Sequence, residues 1–141
     1  MRILHVISSL NVGGAERFVI DLAYEQQQSR QAKVTILSMG KKGEPLEDEL
    51  KRLSLNKLIC SQVSDIRKHL SDYDIVHVHS SHCLLRVLLA SLFKKIQVVY
   101  TRHNERVHSS LKWRIIYKLA SFKLSKMIFV AEKAKNNYLK I

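Results

Sequence analysis

Apolar residues in this chain fall into short, nearly unbroken runs, separated by stretches where they recur every three or four positions. The runs are RILHVIS (2–8), KVTILSM (33–39), NKLIC (56–60), DIVHVHS (74–80), QVVYTRH (97–103) and KMIFVAE (126–132). Such continuity suits strands covered on both faces, as in a parallel sheet. Helical spacing lies between them, over Ala15–Gln28, Pro45–Leu53, Ser64–Leu70, His82–Lys94 and Leu111–Leu124. Pro45 fits the first turn of its helix, where a missing N–H costs nothing, and Glu47, Asp48 and Glu49 suit the positive end of the dipole. The alternation predicts one α/β domain over residues 1–141, a Rossmann-like doubly wound parallel sheet of about six strands.

In the common strand order 3-2-1-4-5-6, the first and fourth strands are neighbours and ligands bind beyond their carboxyl ends. The loop Asn11–Glu16 is therefore expected to face Ser80–His82, with TRHN (101–104) on the next strand along. Three loops distant in sequence converge on one crevice.

Composition narrows the class. A chain of 141 residues with 46% hydrophobic content can bury a core without disulfides. Cys60 and Cys83 have neither metal-ligand nor redox spacing and read as core thiols of a reducing compartment. No apolar run reaches the ~18–20 residues of a membrane span. The opening MRILHVISSL lacks the features of a signal peptide, so a cytoplasmic location is expected.

Charge is unevenly spread. The net charge is +12; residues 1–70 hold eleven basic and eight acidic side chains, and residues 71–141 hold thirteen and four. The second half is drawn to something anionic. No helix-turn-helix, zinc-ligand or RNA-binding aromatic motif is visible, so nucleic acid is not the expected partner.

Candidate chemistry lies at the converging loops. NVGGAER (11–17) is neither a Walker loop nor a G-x-G-x-x-G fingerprint, and Met39 and Gly40 stand where a ribose-binding acid would close the second strand. An NAD or ATP site is not expected. Gly13 and Gly14 either let an anion approach a helix N-terminus or make a tight turn; spacing does not choose. His77 and His79 share a strand face, but no third metal ligand is evident, and core packing is the expectation for the pair. His79 and His103 each end a strand at the crevice, and His103 precedes Asn104. His5, His69 and His108 carry no special expectation. On the helix 111–124, Ile115, Ile116, Leu119 and Phe122 form an apolar stripe. Lys112, Arg114, Lys118 and Lys123, with Trp113 among them, either solvate that helix or meet an anionic membrane surface.

Together, MRILHVISSLNVGGAERFVIDLA, DIVHVHSS, TRHN and MIFVAEKAKNNYLK resemble the N-terminal domain of family 4 glycosyltransferases, retaining nucleotide-sugar enzymes of GT-B architecture. The resemblance runs over essentially the whole chain; Ala131 departs from it, where serine is usual. It implies an acceptor-side domain facing a donor-binding domain across a cleft. It implies Gly13 and Gly14 near the donor diphosphate and His103, as catalytic residue, near the transferred sugar. Glu16, Arg17, His79, Ser80 and Asn104 would lie on the acceptor side. No metal or cofactor is expected beyond the nucleotide-sugar substrate, and the acceptor would be a glycan or lipid-linked sugar of cell-envelope polysaccharide or lipopolysaccharide type. The family's donor-binding domain with its Glu-x7-Glu segment is not expected within these residues. The chain alone is then inactive or nearly so. A subunit of a two-chain transferase and a stand-alone binding module are the alternatives.

Overall fold

The structure, a computed structural model, describes residues 1–103 and 110–129. Six strands, β1 (Arg2–Ile7), β2 (Lys33–Ser38), β3 (Asn56–Ile59), β4 (Ile75–Val78), β5 (Gln97–Arg102) and β6 (Leu124–Phe129), alternate with five helices. The helices are α1 (Gly14–Ser29), α2 (Glu47–Arg52), α3 (Val63–Leu70), α4 (Ser81–Ala90) and α5 (Leu111–Lys123). The strands form one parallel sheet in the order β3-β2-β1-β4-β5-β6, so the chain reverses its direction of travel between β1 and β4.

Alternation along the strands divides the core in two. Leu4, Val6, Val76, Val78, Val98 and Tyr100 face α3, α4 and α5. Ile3, Ile7, Val34 and Ile36 face the other way, against Val19, Ile20 and Ala23 of α1 and Leu50 of α2. Because both faces are covered, five of the six residues in each of β1 and β2 are buried. Burying such aliphatic side chains contributes roughly 1.5–3 kcal/mol each, enough to hold a sheet whose strands have no local partner in sequence.

Some expected boundaries move. Helix α2 begins at Glu47, so Pro45 precedes the helix instead of opening it. Strand β6 begins at Leu124, directly after α5 and two residues ahead of the apolar run at 126. Among the described side chains of α5 the buried ones are Ile116, Tyr117 and Ala120, with Trp113 packed beside them; those of Leu119 and Phe122 lie outside the described set. This i, i+3, i+4, i+7 set turns Ile115 out to solvent, at 51% exposure, contrary to the expected stripe. Tyr117 makes the difference: its ring packs inward like an aliphatic while its hydroxyl finds a polar partner. Cys60 and Cys83 are free thiols, and burial pushes Cys83 up to about 12, which keeps it protonated.

Candidate functional site

Beyond the carboxyl ends of β1, β4 and β5 the chain opens a cleft of about 380 Å³. Ile7, Ala15, Glu16, His79 and His103 line one wall; Ser80, Ser81, His82, Tyr100 and Arg102 line the other, and Ser8 of the loop after β1 completes the lining. The division follows strand alternation. Residues of the odd-numbered set on β1, β4 and β5 face α1, and their neighbours face α4 and α5.

The first wall carries the N-terminus of α1. Gly13 caps this helix without a side-chain hydrogen bond, and the Glu16 carboxylate of the first turn lies beside it. Its φ of −173° is extended backbone open to any residue, and Gly14 is not at positive φ either. The loop's conformation therefore does not require glycine. A side chain at Gly13 would run into the Glu16 carboxylate, whereas one at Gly14 would meet nothing within 4 Å. Gly14 leaves open space at the positive end of a sixteen-residue helix.

Four histidines extend inward from that wall. His5 lies opposite His77 across the β1–β4 ladder, and His79 follows on the same face. His5 bonds Gln26 Oε1 of α1 through Nε2 at 2.7 Å and His79 Nε2 through Nδ1 at 2.8 Å. His79 Nδ1 in turn lies 3.2 Å from His103 Nε2. His77 stacks on His79 with ring centroids 4.0 Å apart and bonds Thr101 Oγ1 at 2.6 Å. Phe18 of α1 sets its edge against His103, centroids 5.2 Å apart.

This arrangement fixes protons. The Gln26 carbonyl oxygen only accepts, so His5 donates from Nε2 and its Nδ1 must accept. His79 then donates from Nε2, and His103 donates its Nε2–H to His79. His103 is left with Nδ1 as its acceptor. The direction of the whole file follows from the orientation of one amide. Burial makes every ring hard to charge: it lowers His5 to about 4 and His77 to about 3, the latter helped by the neighbouring rings. His79 is driven lower still by burial and then by His77, His5 and His103. Burial also lowers His103, with Glu16 opposing the shift. At neutral pH these are four neutral imidazoles.

The second wall is different in kind. Arg102 is 2% exposed, donates from Nη1 to Tyr117 Oη at 3.1 Å and lies over the Tyr117 ring at 5.8 Å. Its Nε is buried without a hydrogen-bond partner, and no carboxylate among the described residues pairs with it. Ser80 caps α4, its hydroxyl accepting from the His82 N–H at 3.2 Å. The positive end of the α4 dipole thus opens on the same cleft as a guanidinium that no described carboxylate compensates.

A model of Glycosyltransferase Family 4 matches residues 12–141. The chain belongs to glycosyltransferase family 4. No curated protein matches it. Among solved structures it is similar to Anabaena Alr3699/HepE in complex with UDP, with TM-score 0.85 and 19% identity over 99% of this chain and 40% of that one. It is also similar to a glycosyltransferase from Rickettsia africae ESF-5, with TM-score 0.81 and 20% identity over 99% of this chain and 39% of that one. The chain thus spans about two fifths of the length of the structures it matches. The fold is that of the N-terminal half of a GT-B glycosyltransferase.

Within this family 4 domain, the residues singled out in the sequence scatter unevenly. Glu16, His79, Ser80 and His103 line the cleft. Gly13 and Gly14 stand at its rim, at the start of α1. Arg17 turns away, giving its guanidinium to Glu49 of α2 at 3.1 Å. Asn104 lies outside the described residues. On α5, Lys112, Arg114 and Lys118 are exposed beside Leu111 and Ile115. Trp113 instead packs on the core, and Lys123 donates to the Lys94 carbonyl at 2.8 Å, so neither joins that exposed set.

Two residues went unread. His5 is the third member of a His5–His77–His79 group whose ligating atoms lie within 4.8 Å of one another, correcting the expectation that His-x-His had no third partner. The nearest pair, at 2.8 Å, is spaced as a hydrogen bond. Two nitrogens on one tetrahedral zinc would stand about 3.3 Å apart. Both nitrogens of His5 and of His79 are already engaged, so the cluster's donor set is spent on itself. Arg102 was legible only as a flank of His103.

Proposed function

We propose that this chain is the acceptor-side domain of a retaining glycosyltransferase, and that its cleft is one wall of the transfer site. The observation that carries the reading is His103: a neutral imidazole at the mouth of a hydrogen-bonded file, on the wall that also holds the N-terminus of α1. Gly14 lets a donor diphosphate approach that helix end, where backbone N–H groups and the dipole favour negative charge on the leaving group. His103, its tautomer set from behind, faces the transferred sugar and accepts a hydrogen bond at Nδ1. His79 holds it there, and Glu16 and Ser80 flank the acceptor's path.

Nucleotide base and ribose are left to a second domain. HepE binds UDP-glucose, which makes UDP-sugars the first donors to assay. The acceptor class is a glycan or lipid-linked sugar. Lys112, Arg114 and Lys118, beside exposed Leu111 and Ile115, form the patch we assign to an anionic membrane surface, each cation contributing about 1 kcal/mol. No helix among the described residues is long and apolar enough to cross a membrane.

The test is a transfer assay. The 141-residue chain, supplied alone with UDP-sugar and a lipid-linked saccharide, is expected to give no product. The same chain joined to a donor-binding domain of its family is expected to transfer with retention of anomeric configuration. Turnover by the isolated chain, or inversion at the anomeric carbon, would sink the proposal.

A further inference from the structure

We propose that Arg102 and the first turn of α4 form an oxyanion pocket on the second wall, separate from the α1 N-terminus, that takes a phosphate or carboxylate group of a substrate.

A guanidinium stays charged at any physiological pH, and removing one from water without a counter-ion is strongly unfavourable. Arg102 is 2% exposed, yet its described neighbours offer it one phenol oxygen and one aromatic face. Its Nε–H is left without a partner. Among the described residues, every other polar side chain buried to that degree on this sheet has found an acceptor or donor, His5 among them. The unsatisfied donor sits in a residue that lines the cleft together with Ser80, Ser81 and His82, where the helix dipole is positive. Among the described residues the one acid lining the cleft, Glu16, belongs to the opposite wall. A planar, forked donor beside a helix N-terminus suits the oxygens of a phosphate or carboxylate, which would satisfy Nε and neutralise the charge together.

Two substrates could carry that group: the donor, through its diphosphate, or an acceptor bearing a phosphate or uronic acid. The experiment separates them, and because it needs no turnover it stands apart from the transferase reading. Inorganic phosphate is titrated into the 141-residue chain while the Arg102 Nε–H resonance is followed by NMR. The resonance is expected to shift and to exchange more slowly with water, and Tm to rise with phosphate. Arg102→Met is expected to be at least as stable as the parent without phosphate, since an uncompensated buried charge has gone, and to lose the phosphate-dependent rise in Tm. Should that variant not fold, the Nε–H titration of the parent decides by itself. Tyr117→Phe, which removes only the neighbouring hydroxyl, is expected to keep the response. A shift on adding UDP assigns the pocket to the donor; a shift with glucose 6-phosphate but not UDP assigns it to the acceptor. An Nε–H resonance indifferent to all three, or an Arg102→Met protein with the parent's phosphate response, would overturn the proposal.

Discussion

The two walls of the cleft bury polar side chains in opposite ways. On the α1 wall, Gln26, His5, His79 and His103 satisfy one another in a continuous file, and burial keeps the rings uncharged. On the α4 wall, Arg102 keeps a charge and a donor that nothing among the described residues answers. A closed network completes itself within the fold; an open one completes itself only with something from outside. The first wall therefore holds a group in position, while the second waits for a ligand.

The comparison can be broken most sharply at Gly14. Gly14→Val places a side chain in the open space at the α1 N-terminus. Its stability should stay near that of the parent, since the backbone there does not require glycine. Turnover of the joined two-domain protein should fall about 100-fold or more if a donor must approach there. Unchanged kinetics would remove α1 from the transfer site.

A smaller effect is expected from the inner end of the file. His5→Leu leaves His79 Nε2 and Gln26 Oε1 buried without their partner, a loss of about 1–3 kcal/mol for each group stranded. Gln26→Glu, which still accepts from His5, should be milder than Gln26→Leu. Thermal unfolding with imidazole 15N spectra checks both points, since His5→Leu and Gln26→Leu, but not Gln26→Glu, should disturb the Nε2–H tautomer of His103.

Acid should weaken the same wall. Unfolded imidazoles bind protons near 6.5, whereas His5 resists until about 4 and His77 until about 3. Between those values the unfolded state holds more protons, so stability falls as pH drops below about 6.5. The slope is up to about 1.4 kcal/mol per pH unit for each such histidine, and His5 ceases to contribute to it below about pH 4. Denaturant melts at pH 7 and pH 5 should show it, and His5→Leu should flatten the difference. The smallest effect belongs to Arg17→Ala. Its ion pair with Glu49 is half exposed on the arginine side and screened by solvent, so little or no loss of stability is expected, with no change in turnover.

Much of this architecture was legible in the residue pattern. Continuous apolar runs gave a parallel sheet, and the switch between β1 and β4 brought the Gly13–Gly14 loop, Ser80–His82 and His103 towards one crevice. What could not be read depends on register and on absences. His5 becomes a partner of His79 only when β1 pairs with β4 so that it lies opposite His77, and Gln26 joins only once α1 crosses that face. Arg102 and His103 are adjacent in sequence, but strand alternation sends them to opposite walls. That no acid among the described residues meets Arg102 is a fact of three dimensions. Tyr117 hid the true phase of α5 because its polar tip masked a buried ring.

The central claim is that His103 works at the reacting sugar with its tautomer fixed from behind. The most direct measurement is turnover of the joined two-domain protein on a UDP-sugar and a lipid-linked saccharide, parent against His103→Ala. A loss of about 100-fold or more in kcat, with folding intact, is the predicted result. Turnover within about threefold of the parent would contradict it.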